Sequence, residues 1–397
     1  MKTRAVSTTF SLVLAILILL VETGCSKLSG LSEPTKNFPT TTLQSSLATF
    51  TPFKPASPTP FPTGTNTPTV IPSATPTATA TKFSLESFSY SFKPNTAIPR
   101  TYQNQCEFLS KRWGFDKSKP GTIIVPIMYH SIRKSGRELQ DENQVTQEYF
   151  EYTMEYAKKL GFETVTTEEL VGFLYENKPI PQLSMILILD DRRLGVVREH
   201  FMDYLEKYDW TVTLAYITGV ATPLEWNEFK RLNVNDRLDL QAHGFYHNGE
   251  TYITDKTPQD VIEQEIYGPI SVIEEQSGLK PLAFIWPGGN FNTSAIQMAR
   301  EAGYKVGFTV FSRGPLMYNW IPLGPEEVKM DDPLMVLPRY WSSSATLALD
   351  KAVEISSQAE EFARENRSLE YLWYANYCDG YPPLMDVKDE SAFRKDQ

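Results

Sequence analysis

The apolar run Met185-Ile-Leu-Ile-Leu189 ends in two adjacent carboxylates, Asp190 and Asp191. Five apolar residues, bounded upstream by Pro181, read as a strand buried on both faces. A desolvated carboxylate is costly unless something neutralises it, so packing alone does not explain two of them there. Two uses are open. A helix N-cap wants a single Asp. A site at the carboxyl end of the strand could use one acid for a cation and its neighbour for protons.

Histidine is scarce, and its placement bears on the choice. The chain has 4: His130, His200, His243 and His247. Three of them lie at or just after expected strand ends. His200 follows Glu199 inside an expected surface helix and reads as solvated. His243-Gly-Phe-Tyr-His247 places two imidazoles four positions apart, on one side of a helical turn or tight loop. Two His and one carboxylate with open coordination positions form a common set for catalytic zinc or another divalent ion.

The elements that must position these groups follow from periodicity. Gly121 to Tyr129 reads as a strand ending at His130. Val145 to Leu160 has apolar residues at helical spacing and stops at Gly161. Strands are expected at Phe162–Val165, Met185–Asp190, Thr211–Ile217, Arg237–Ala242, Leu282–Trp286, Val306–Val310 and Met335–Leu337. Helices are expected at Thr167–Tyr175, Val196–Lys207, Trp226–Leu232, Pro258–Gln276 and Ser294–Ala302. Strand and helix alternate, which means a parallel sheet with helical crossovers. About seven such strands over roughly 220 residues suit a distorted TIM-like (β/α) barrel in the α/β class. His130, Asp190-Asp191, His243 and Pro287-Gly288-Gly289 each stand at or just past a strand end, so all four should face one rim.

The flanks are different. Lys2 and Arg4 precede the apolar run Leu12 to Val21, which suits a signal segment over residues 1–25. Thr23-Gly24-Cys25 resembles a bacterial lipoprotein signal in which Cys25 takes the lipid, although Glu22 stands where Leu is usual. Ordinary secretion and an uncleaved anchor remain open. Residues 26–82, rich in Pro, Thr and Ser, cannot bury a core and read as a disordered stalk. Residues 83–119 form a lead-in. The main domain spans 120–345, and 346–397 is a helical extension with an acidic helix at Val353–Glu365. The expected location is extracytoplasmic, lipid-anchored at the membrane or secreted. Cys106 and Cys378 could pair in an oxidising compartment, or could be two unrelated buried thiols. The net charge of −10 gives no basic surplus for phosphates and argues against a nucleic-acid partner.

The motifs, in order, resemble those of polysaccharide deacetylases of the NodB-homology type (carbohydrate esterase family four, early Tyr-His branch). Met128-Tyr129-His130 resembles the opening motif. Leu189-Asp190-Asp191 stands where Thr-Phe-Asp-Asp-Gly is usual, and His243-Gly-Phe-Tyr-His247 stands where His-Thr/Ser-x-x-His is usual. Phe284-Ile-Trp-Pro-Gly-Gly resembles the Phe-x-Tyr-Pro-x-Gly turn, and Leu337-Pro-Arg339 resembles a late Leu-Pro-Arg.

The resemblance implies that Asp191, His243 and His247 hold one divalent ion, with zinc the expected metal. It implies that Asp190 is the general base for water on that ion and that His130 protonates the leaving amine. Tyr129, Trp286, Pro287, Gly288, Arg192 and Arg339 are expected around the substrate, with Trp286 as a sugar-stacking face or a core residue. The implied activity is removal of N-acetyl groups from a cell-surface or extracellular polysaccharide. A non-catalytic glycan-binding relative and a metal-dependent esterase or amidase on another acyl substrate are the alternatives. Two departures bear on this. Arg192 replaces the Gly after the acids, where it could bind an anionic substrate group or pair with Asp190. Gly244 removes a possible hydroxyl beside the first imidazole.

Overall fold

The computed structural model describes residues 96–97, 101–102, 104–247 and 252–385. The expected signal segment with Cys25 and the expected stalk lie outside the described residues.

Seven strands make the central sheet: β1 (Ile123–Tyr129), β2 (Leu183–Asp190), β3 (Val212–Tyr216), β4 (Leu238–Ala242), β5 (Ala283–Ile285), β6 (Val306–Phe308) and β7 (Tyr340–Trp341). Their order is β6-β5-β4-β3-β2-β1-β7, and every neighbouring pair is parallel. An additional short strand, Glu163–Thr164, also pairs with β2. The sheet curls into a TIM-like half-barrel with helices outside it. β1 is buried along its whole length and β2 at all but its first residue, as apolar runs covered on both faces should be.

The last expected strand, Met335–Leu337, is corrected by the structure. Pro333–Met335 is a 3-10 turn, and the strand is Tyr340–Trp341. Leu337 makes one parallel bridge to Phe308, whereas Tyr340 pairs with Ile127 of β1. Pro338 lies between them and has no N–H to donate, so the ladder breaks and resumes on the other edge. Residues 337–341 therefore touch both edges of the sheet and bring Arg339 across its mouth.

The longer helices follow apolar spacing, and a side-chain cap opens five of the eight. They are α1 (Gln105–Trp113), α2 (Gln147–Leu160), α3 (Thr167–Glu176), α4, α5 (Pro223–Leu232), α6 (Gln259–Ser277), α7 (Thr293–Glu301) and α8 (Ala345–Tyr377). The run α4 consists of Leu194–Val196, a π turn over Val197–Phe201, and Met202–Tyr208. Thr166 with Glu169 and Thr222 with Glu225 form reciprocal capping boxes at α3 and α5. The expected acidic helix Val353–Glu365 is the middle of the 33-residue α8. Its Ala348, Leu349, Ala352, Ile355 and Ala359 pack into the main core. Beyond them, Ala363, Trp373 and Tyr374 share a second cluster with Phe108, Leu109 and Trp113 of α1. Cys106 and Cys378 form a disulfide in that cluster, with Cα atoms 5.4 Å apart and a sequence separation of 272.

Inside the barrel, β4 and β5 share a single ladder pair, Ala242 with Phe284. Gln241 fills the gap. Its Oε1 accepts from the backbone N–H groups of Leu282 and Ala283, both at 2.8 Å. This holds the strand that ends at His243 against the strand that ends at Trp286.

Candidate active site

The site lies at the carboxyl ends of the strands, where β1, β2 and β4 release His130, Asp190-Asp191 and His243. One ligand atom from each of Asp191, His243 and His247 lies within 4.8 Å of the others. The Nδ1 of His243 is 2.8 Å from the Ile285 carbonyl, which directs Nε2 into the site. That Nε2 is 4.0 Å from Asp191 Oδ1 and 3.9 Å from Asp190 Oδ2. A tetrahedral ion with ~2.1 Å bonds wants donors ~3.4 Å apart, so a small closure completes the set. Burial pushes the His243 imidazole pKa down, against the raising pull of Asp190. The ring is therefore neutral at pH 7, the state a metal ligand requires. The donor set and its geometry fit one divalent cation.

The two acids are handled differently. Asp190 is buried at 1% exposure. Its Oδ1 accepts from Arg339 Nη1 at 2.6 Å, and its Oδ2 is 3.4 Å from His130 Nε2. Burial raises the Asp190 pKa, but the Arg339 guanidinium, with His130 and His243, outweighs it and holds the carboxyl well below the usual range. Asp191 is half-buried and adopts φ 71°, in the left-handed region that Asp tolerates better than most residues. The left-handed position thus falls on Asp191, and Arg192 replaces the usual Gly without needing a positive φ. Arg193 grips the other oxygen of Asp191. Its Nε and Nη2 donate to Oδ2 at 3.0 and 2.8 Å, and its Nη1 donates to Ser131 Oγ at 2.7 Å.

The imidazole loop is held from behind. Glu265 of α6 is fully buried. Its carboxylate accepts from the backbone N–H groups of Phe245 and Tyr246 at 2.9 Å and of His247 at 3.2 Å. Gly244 passes directly over it at φ 77°, and a Cβ there would meet Glu265 Oε2 at 2.4 Å. The missing Thr or Ser hydroxyl is thus replaced by a backbone approach that only glycine allows. Phe245 is wedged between Gly219 and Gly268, whose Cβ atoms would meet its ring at 2.4 and 2.6 Å.

Several residues expected around a substrate are placed elsewhere. Tyr129 is 1% exposed and packs edge-on against Phe150 and Phe201, because its strand position points outward to the helices. Trp286 is 0% exposed, stacks edge-on with Phe284, and donates Nε1–H to the Met335 carbonyl at 2.7 Å. It is a core residue with no face for a sugar. Arg339, also 0% exposed, is the partner of Asp190 rather than a substrate contact. Arg192 does not reach Asp190. Its Nη1 donates to both Glu225 carboxylate oxygens, at 2.8 and 2.9 Å, and to the Val220 carbonyl at 3.1 Å. Pro287 is buried in a 3-10 turn, and Gly288 is exposed at φ 60°. His200 is half-buried against the edge of Phe150 rather than solvated.

Four contributors went unassigned in the sequence: Glu265, Arg193, Ser131 and Trp341. Trp341 stacks on His130, with ring centroids 6.3 Å apart and planes at 15°. Glu265 had a readable signal, since it falls on the apolar stripe of α6 between Ile262 and Ile266.

A family model described as polysaccharide deacetylase matches residues 178–307. That span holds Asp190, Asp191, His243 and His247 but neither His130 nor Arg339. YxkH of Bacillus subtilis (strain 168) is 23% identical over 194 residues, which cover 48% of this chain and 65% of that protein. The chain thus spans less than two thirds of the curated relative it matches. Among solved structures, the Streptococcus pyogenes deacetylase PplD in complex with acetate is 21% identical, with a TM-score of 0.46. That match covers 61% of this chain and 99% of PplD. A de-N-acetylase from Aggregatibacter actinomycetemcomitans is 13% identical with a TM-score of 0.47, covering 58% of this chain and 99% of that one.

Proposed function

We propose, from the premise that this chain belongs to the polysaccharide deacetylase family, that it removes N-acetyl groups from an extracytoplasmic polysaccharide with the help of one divalent ion, zinc by ligand chemistry. The observation that carries this reading is the convergence of Asp191, His243 and His247, with Asp190 Oδ2 beside them.

When bound, a divalent ion supplies Lewis-acid polarisation of the acyl oxygen and acidifies water at the site. The chain's own groups do the rest. Arg339 occupies Oδ1 of Asp190, so Oδ2 is the oxygen left to accept a proton from water. A carboxylate held at low pKa keeps that proton poorly. His130 Nε2, 3.4 Å away, can take it and deliver it to the leaving nitrogen. An amine leaves readily only once protonated, so this relay is the step that makes amide cleavage productive. Trp341 fixes the plane of the His130 ring.

The disulfide favours an oxidising compartment, in keeping with export through residues 1–25 and anchoring at Cys25. The reading is tested by acetate release from N-acetylglucosamine oligomers alongside metal content. Asp191→Ala should lose both the tightly bound ion and turnover, and an Asp191→Ala protein that still turns over would rule it out.

A further inference from the structure

The metal ligand Asp191 is not free to choose how it binds. Both contacts from Arg193, through Nε and Nη2, go to the same oxygen, Oδ2. The third guanidinium contact goes to Ser131, the residue after His130. Arg193 thus bridges the mouths of β1 and β2 and turns Oδ1 toward His243. A carboxylate whose second oxygen is committed to two charge-assisted hydrogen bonds cannot offer that oxygen to a cation without breaking them.

We propose that Arg193 is a positioning residue that keeps Asp191 a one-oxygen ligand and so biases the site toward a low-coordinate, zinc-like ion. The proposal rests on the assignment of Asp191, His243 and His247 as the ion's ligands. Its logic is coordination number. Zinc is content with three protein donors and one open position. Manganese and magnesium favour octahedral, oxygen-rich shells, which a two-oxygen carboxylate would help to supply. Arg193 also places a positive charge beside Asp191, so the carboxylate gives less of its charge to the ion and the ion stays a stronger Lewis acid. The neighbouring Arg192 cannot take over this role, because its guanidinium is held by Glu225. The Arg193 side chain is 36% exposed, so shortening it leaves the core untouched.

The experiment is metal competition and cobalt spectroscopy on the full chain. Wild type, Arg193→Ala, Arg193→Lys and Ser131→Ala are stripped with chelator and titrated with Zn(II), Mn(II) and Co(II). In Arg193→Ala the zinc-over-manganese preference falls by about tenfold. The visible band of its Co(II) form weakens as the second carboxylate oxygen joins the shell. Arg193→Lys, which keeps one contact to Oδ2, is intermediate in both readouts, and Ser131→Ala shifts the same way but less. If Arg193→Ala keeps the wild-type cobalt spectrum and preference while remaining folded, the proposal is wrong and the ligand assignment stands. If the wild-type protein binds none of the three ions, the ligand assignment itself is wrong and takes the proposal with it.

Discussion

Arg339→Met tests how the buried acid of the site is held. Arg339 is 0% exposed, donates to Asp190 Oδ1 at 2.6 Å, and donates through Nε to the Thr309 carbonyl at 2.7 Å. Methionine fills similar space without charge, so the change leaves a buried carboxylate without its main partner. Removing one member of a buried ion pair costs about 3–5 kcal/mol. His130 Nε2 remains 3.4 Å from Oδ2, which sets the expectation at the lower end, ~3 kcal/mol at pH 7.

The pH dependence gives the sign. In the native protein the Asp190 pKa is depressed below its unfolded value of about 3.9. Its stabilising contribution is therefore full above that value and is lost as pH falls through the folded pKa. In the variant burial is no longer outweighed by Arg339, the folded pKa rises, and the ionised group becomes a penalty above about pH 4. The gap between the two proteins should be widest at pH 7 and should shrink as pH falls toward 4. Urea unfolding of both proteins in chelator, followed by tryptophan fluorescence at pH 7, 5.5 and 4, measures it. A gap below about 1 kcal/mol at pH 7, or one that is the same at every pH, refutes the argument.

Three further outcomes follow from the same geometry. Glu265→Gln cannot satisfy all three N–H groups and should cost about 1–3 kcal/mol by urea melt and weaken zinc binding about tenfold by chelator competition. Arg192→Ala breaks a partly exposed pair with Glu225 and should cost under ~1 kcal/mol, with acetate release within about twofold of wild type. A large loss of turnover would mean that Arg192 meets the substrate after all. Reducing the disulfide, or the double change Cys106→Ser/Cys378→Ser, opens a loop spanning 272 positions and should cost up to about 5 kcal/mol in a thermal or urea melt. Acetate release at 25 °C should hold, since the bond joins α1 to the end of α8 and touches none of the site residues.

Much of the barrel was legible because its signals are local. The continuous apolar runs of β1 and β2, the Gly stops at Gly161 and Gly278, and polar residues just past strand ends all lie within a few positions of one another. That logic brought Asp191, His243 and His247 to one rim. It failed where a residue's role depends on a distant partner. Trp286 shares a face with Phe284 and points into the core, which alternation along a three-residue strand is too short to reveal. Arg339 is separated from Asp190 by 149 positions, and nothing near it in the chain says that it is buried. The left-handed residue in the acid loop is Asp191 rather than its neighbour, a choice made by the three-dimensional path between β2 and α4. The final strand falls later than its apolar signal because Pro338 splits one crossing segment between two sheet edges.

The clasp that α6 provides through Glu265 sets the site apart from small metal modules that are shapeless until loaded. Such modules draw their folding energy from the ion itself. Here the loop carrying both imidazoles is fastened by the protein itself, through three backbone N–H groups that donate to the buried Glu265 side chain. A loop tied down in this way should hold its shape whether or not the side chains it presents carry an ion.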